Sequence, residues 1–284
     1  MSPNPTPNPN DTWTIVSHRK NRTNQPKRAP YPQTLTLAPQ TPTPWSPSHS
    51  QSDPHKIHQK IQSSLQRLRS SKFHHQFLSQ LRSPQLQSPL AAALGPRFHL
   101  VVYGIGSVES FETPRLQISL AVLLLRELGD RILSVQVFDP VLSSAECDTM
   151  EELGFSVMRA DEHGRREVKV ATLFFMPHCE LQLYDSLLEA NWGSEGLKKM
   201  AILGNSFGGY GRAAEERSGN GSVRFESEGR RVLQAKRFVR EVEMDGVGKD
   251  EKEEEENAVG FYRAFHDLSW HFFELDDDCD MNII

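Results

Sequence analysis

The sequence predicts an α/β domain built around a mostly parallel sheet, preceded by a disordered N-terminal arm. Three observations lead there. Of the 18 prolines, 15 fall in residues 1–96. Charge divides at the same place. Residues 1–96 carry 11 Lys/Arg against two acids, a net of +9, and the remainder carries 21 against 35, a net of −14, summing to −5 for the chain. Beyond Gly95-Pro96, short apolar runs alternate with helix-like stretches.

Residues 1–54 are rich in Pro, Ser, Thr, Gln and Asn, with few branched aliphatics. Such a segment buries too little apolar surface to offset about 1–2 kcal/mol of backbone entropy per residue, so it is expected to be a disordered basic arm. Within it lie an apolar island, Trp13-Thr14-Ile15-Val16, and a basic patch from His18 to Arg28, read as a solvated tail. Residues 55–96 are expected to form an amphipathic helix and a linker. Ile57, Ile61, Leu65, Leu68, Phe77 and Leu81 share one stripe, with Lys56, Lys60, Arg67, Arg69 and Lys72 off it. The stripe is expected to pack on the acidic domain that follows.

Residues 97–275 carry the α/β pattern. Apolar runs at 99–103, 132–138, 155–158, 172–176 and 200–203 lack in/out alternation, as strands buried on both faces should. Helices are expected over 114–128, capped by Thr113 and stopped at Gly129, over 143–153, with Glu146 completing a Ser143 capping box, and over 179–191. Strand and helix alternating at this rhythm give a Rossmann-like, three-layer arrangement. Residues 269–273 read as a last strand closing the sheet edge. An acidic insertion near 246–257 and an acidic tail at 276–284 complete the chain.

Several classes are excluded. The longest apolar run, 116–125, is half the ~20 residues of a membrane span. The N-terminus lacks the charge and apolar pattern of a secretory signal. Three scattered cysteines suit neither a disulfide framework nor a four-ligand zinc site, so no metal is expected and the chain reads as soluble and intracellular. A folded part at −14 opposes the footprint of a nucleic-acid-binding domain, so nucleic acid is not an expected partner.

In a parallel sheet, ligands bind outside the carboxyl ends of the strands. Those ends supply Gly104, Gly106, Ser107 and Glu109, then Asp139, then Pro177 and His178, then Asn205 and Ser206. Glycines let a loop approach a ligand closely, and an acid after the second strand is where a ribose hydroxyl is held. Glu109 replaces the third glycine of the dinucleotide fingerprint and would repel a pyrophosphate, which argues against NAD or FAD. A phosphate-free adenosyl ligand such as S-adenosylmethionine is penalised less, while a tight turn without any ligand explains the same glycines. No cofactor follows from these residues. His178-Cys179-Glu180 lacks an orienting Asn or Asp, so a structural histidine and a buried thiol are expected rather than a nucleophile. No catalytic residue is assigned.

The blocks Tyr103-Gly-Ile-Gly-Ser-Val-Glu-Ser, Pro114-Arg-Leu-Gln, Val137-Phe-Asp-Pro-Val-Leu-Ser, Thr172-Leu-Phe-Phe-Met-Pro-His-Cys-Glu, Glu189-Ala-Asn-Trp, Leu203-Gly-Asn-Ser-Phe and Ser269-Trp-His-Phe-Phe occur in order. Together they resemble the SRR1-like family over roughly residues 97–275, and Trp13-Thr-Ile-Val resembles the opening of its plant members. The resemblance implies a regulator in phytochrome B red-light signalling and circadian clock input. It would act with protein partners in nucleus and cytoplasm, without a settled reaction. The alternative is an adenosyl- or nucleotide-dependent transferase using the strand-end pocket.

Overall fold

The structure is a computed structural model that describes residues 41–216, 229–244 and 255–275. The arm up to residue 40, most of the acidic insertion and the acidic tail lie outside the described residues. The described chain runs β1 (Thr43–Pro44), α1 (Pro54–Arg69), α2 (Lys72–Leu81), α3 (Pro84–Leu94), β2 (Phe98–Tyr103), α4 (Glu112–Leu128) and β3 (Ile132–Phe138). It continues with α5 (Ser144–Glu152), β4 (Ser156–Val157), β5 (Ala160–Asp161), β6 (Thr172–Met176), α6 (Leu181–Ala190), α7 (Ser194–Leu197) and β7 (Met200–Asn205). The last elements are α8 (Phe207–Glu216), α9 (Arg230–Ala235), β8 (Val239–Glu243), α10 (Glu255–Phe265) and β9 (Leu268–Phe273).

The main sheet has the order β4-β3-β2-β6-β7-β9-β8. The first five strands are mutually parallel, and β9 runs antiparallel between β7 and β8. The expected strand at 269–273 is therefore present but not at the edge. That position belongs to β8, whose Val-Arg-Glu-Val-Glu sequence buries only Val242. Charged residues on an edge strand discourage pairing with another chain, and they also mask the strand in the sequence.

Alternate residues of the central strands feed two separate cores, which is why their sequences read as unbroken apolar runs. Leu100, Val102, Leu173, Phe175, Ala201 and Leu203 face a core built with α1–α5 and α10. Val101, Tyr103, Phe174, Met176, Met200 and Ile202 face one built with α6–α9. Helices change face between the β3 and β6 sides, so the topological switch point lies between β2 and β6.

The segment expected as one helix and a linker is three helices. Ser70-Ser71 breaks the stripe: Ser71 Oγ donates to the Leu68 carbonyl (2.7 Å) and accepts from the His74 amide (3.1 Å), ending α1 and capping α2. The α1–α2 stripe is buried, with Phe73 stacked on Phe265 at 4.5 Å. Residues 84–94, within the stretch expected to end in a linker, form α3 with Leu86, Leu90 and Leu94 buried. Helix α4 begins at Glu112 rather than after Thr113. Its Pro114 falls third, still within the turn whose N–H groups lack helical partners. Residues 43–52 contact the α/β part through β1, Ser48 and Ser52, so the arm's expected end at residue 54 lies inside the fold.

Ile61 lies on α1 at 0% exposure, inside the core rather than on an appendage. Ile61→Ala is expected to cost about 2–5 kcal/mol in urea denaturation with one cooperative transition, as for other core truncations. A change near zero would show that α1 does not belong to the cooperative unit.

Candidate functional site

After β2 the chain turns through Gly104 (φ 67°) and Gly106 (φ 77°), a region L side chains rarely adopt. Ile105 and Val108 are buried in the core, which fixes the turn from below. Its polar groups face Asp139 and Glu146. The Gly106 amide donates to Asp139 Oδ2 (2.7 Å), and the Val141 amide donates to Asp139 Oδ1 (2.9 Å). Burial pushes the Asp139 carboxyl above its ordinary range, and the two amides oppose that shift.

Glu146, 1% exposed, completes the expected capping box with Ser143 and does more. Its Oε2 accepts from the Ser143 amide (2.8 Å). Its Oε1 accepts from Ser107 Oγ (2.8 Å) and from the Glu109 amide (2.9 Å). The Glu109 carboxylate in turn accepts from Ser52 Oγ. Its backbone carbonyl accepts from Lys60 Nζ and from an Arg115 Nη, each at 3.2 Å.

The other expected residues form a second cluster beyond β6 and β7. His178 takes φ 55°, and its amide donates to Asn205 Oδ1 (2.7 Å). Asn205 Nδ2 donates to Tyr210 Oη (2.9 Å), and Tyr210 donates to the Cys179 carbonyl (3.0 Å). Ser206 caps α8 by accepting from the Gly209 amide (2.9 Å), while the Gly208 amide donates to Glu241 Oε2 (3.0 Å). The N-terminus of α8 is thus occupied by the chain's own acceptors. Pro177 leads into this turn from β6.

Cys179 joins the two clusters. Its Sγ lies 3.4 Å from the Tyr103 carbonyl, and a Cβ on Gly104 would overlap it. Burial, with Asp139 and Glu180 adding to it, pushes the thiol far above its usual range. Such a thiol stays protonated and is no nucleophile. Burial and the nearby His266 lower the His178 pKa, disfavouring the charged ring. Among the described residues, no group of three or more His, Cys, Asp or Glu side chains is placed to hold a metal ion.

The fold thus brings Gly104, Gly106, Ser107, Glu109 and Asp139 together around Glu146, and Pro177, His178, Asn205 and Ser206 around Tyr210. Sequence reasoning gave Glu146 only a helix-capping role and did not single out Tyr210. It also missed His271. That ring is fully buried against Phe207 (4.1 Å), with Nδ1 3.3 Å from the Ile202 carbonyl and Nε2 3.9 Å from Glu241 Oε1.

The SRR1 domain matches residues 58–272. The chain belongs to the SRR1 family. The match starts in α1, so the family domain includes the helices that precede residue 97. The Arabidopsis thaliana protein SENSITIVITY TO RED LIGHT REDUCED 1 is 40% identical over 250 residues, 84% of this chain and 83% of that protein. An SRR1-like protein of Mus musculus is 36% identical over 132 residues, 46% of this chain and 51% of its own. Among solved structures, the plantazolicin methyltransferase BpumL, in complex with a pentazolic desmethylPZN analog and SAH, is 7% identical. It has a TM-score of 0.30 and covers 78% of this chain and 98% of that one, a likeness too slight to bear on function.

Two predictions follow from this geometry. Gly104→Ala is expected to destabilise by more than about 2 kcal/mol, combining a left-handed backbone with the Sγ overlap. Adding Cys179→Ala should recover the steric part, and additive costs in the double-mutant cycle would contradict the contact. For His271, burial lowers the pKa from 6.5 to about 4 despite the facing Glu241. The unfolded chain therefore binds more protons between those values, and stability falls as pH drops through the window. The slope attributable to this group is up to about 1.4 kcal/mol per pH unit. His271→Gln should flatten the profile by that amount, and an unchanged slope would count against it.

Proposed function

We propose that this protein is a regulator in red-light signalling that feeds the phytochrome B pathway and the circadian clock, acting through protein partners in nucleus and cytoplasm. Membership of the SRR1 family supports a signalling-regulatory role, and the reading rests above all on the 40% identity to the Arabidopsis protein named for reduced red-light sensitivity. The site agrees with binding more readily than with covalent chemistry. Its carboxylates hold backbone amides, and its thiol is buried with its pKa pushed far above the usual range. Groups fixed in this way make a rigid, preorganised surface, which lowers the entropic cost of binding a partner.

A second reading is an adenosyl- or nucleotide-dependent transferase. It is favoured by the glycine turn at Gly104 and Gly106, which follows β2 at the switch point and holds Asp139 through the Gly106 amide.

Expression of this chain in an Arabidopsis line lacking the relative is expected to restore hypocotyl inhibition in red light and the period of leaf movement. Accumulation of the protein without either effect would contradict the first reading. For the second, one site at 100 times Kd adds about 2.7 kcal/mol, so S-adenosylmethionine or a nucleotide should raise Tm, and Asp139→Ala should abolish the rise.

A further inference from the structure

Residues 41–53, which composition assigns to a disordered arm, form a strap across the carboxyl ends of β2, β3 and β4. Thr43 and Pro44 pair antiparallel with Asp161 and Ala160 just beyond β4. The Trp45 amide donates to the Arg159 carbonyl (2.9 Å). Ser48 bridges to Ser143 at the start of α5, with the Ser144 amide donating to the Ser48 carbonyl (2.8 Å). Ser52 Oγ then reaches Glu109 in the loop after β2. The strap therefore lies over the half of the strand-end crevice where an open α/β sheet receives the nucleoside part of a ligand.

Trp45 is the strap's anchor. Its indole packs edge-on against Phe138 (5.2 Å between centroids, 78° between planes), and Nε1–H donates to the Pro140 carbonyl (3.3 Å). Those two contacts flank Asp139, the acid at the end of β3. Trp45 also packs against both cores, whereas most other strap residues are exposed. A flat ring with an N–H aimed at a backbone carbonyl is also what a purine with its exocyclic amine would present there.

We propose that Trp45 occupies, from within its own chain, the ring slot of an adenosyl or nucleotide ligand, so that such a ligand enters only when the strap lifts. This rests on the transferase reading above and adds its regulation. Besides Trp45, the strap is held by its two-residue ladder, the Ser48–Ser143 bridge, the Ser50 amide donating to Ser144 Oγ, the Thr43–His163 contact and the Ser52–Glu109 contact, all outside the seven-stranded sheet, so it can come away while that sheet stays intact. The ligand's apparent affinity is then its intrinsic affinity multiplied by the fraction of molecules whose strap is open.

The test uses the full chain, with S-adenosylhomocysteine and ATP as probes in calorimetry. Trp45→Ala is expected to bind at least one probe tenfold or more tightly than the unaltered chain, and Ser52→Ala to give a smaller gain in the same direction. Hydrogen exchange supplies a reading that does not depend on affinity. The Trp45 and Ser144 amides should exchange faster when probe is added to the unaltered chain, with β6 and β7 amides unchanged. If Trp45→Ala fails to fold, Ser52→Ala and the exchange data decide. Equal or weaker probe binding in the variants, or strap amides unmoved by bound probe, would overturn the strap proposal and leave the transferase reading standing. No binding in variants whose strap amides already exchange freely would remove both.

Discussion

A carboxylate out of water is costly unless hydrogen bonds replace its hydration, and Glu146 meets that condition only because three donors from two separate pieces of chain come to it. The Ser143 amide at the start of α5, the Ser107 hydroxyl and the Glu109 amide all donate to its two oxygens. The turn after β2 and the helix after β3 therefore share one acceptor set and cannot move independently. Glu109, fixed in this way, presents its side chain to Ser52 of the strap and its carbonyl to Lys60 of α1 and Arg115 of α4. One buried side chain thus ties the loop, the capping helix, the strap and the N-terminal helices together.

The far side of the crevice follows the same logic with different groups. Asn205, Tyr210 and the Cys179 carbonyl form a closed hydrogen-bonded chain, and the Cys179 thiol fills the space that the absent Gly104 side chain leaves. Both halves are satisfied from within. A site of that kind holds its shape without a ligand, and it leaves any small molecule to compete with groups the chain supplies itself.

The sequence made the centre of the fold legible and its margins less so, for physical reasons. β2, β6 and β7 are buried on both faces, so their apolar runs needed no context. β8 is an edge strand with charged side chains, and nothing local distinguishes it from a loop. Pro89 argues against a helix in isolation, yet the packing of Leu86, Leu90 and Leu94 holds α3 in place. The nine candidate residues were legible as strand ends and the loops that follow them. The contacts that organise them were not, because Glu146 meets Ser107 and Trp45 meets Phe138 only after the sheet has formed. The composition of residues 41–53 describes a segment unable to fold alone. It is silent about one laid on a finished surface.

Hydrogen exchange of Glu146→Gln tests the central claim most directly. Glutamine has one acceptor oxygen and turns an amide group toward donors, so it cannot satisfy all three partners. If one carboxylate couples these elements, the Ser143 and Glu109 amides should lose protection together with the Ser50 and Ser144 amides at the strap contact, while β6 and β7 stay protected. Loss confined to the first turn of α5, with the loop and strap as protected as before, would contradict the account.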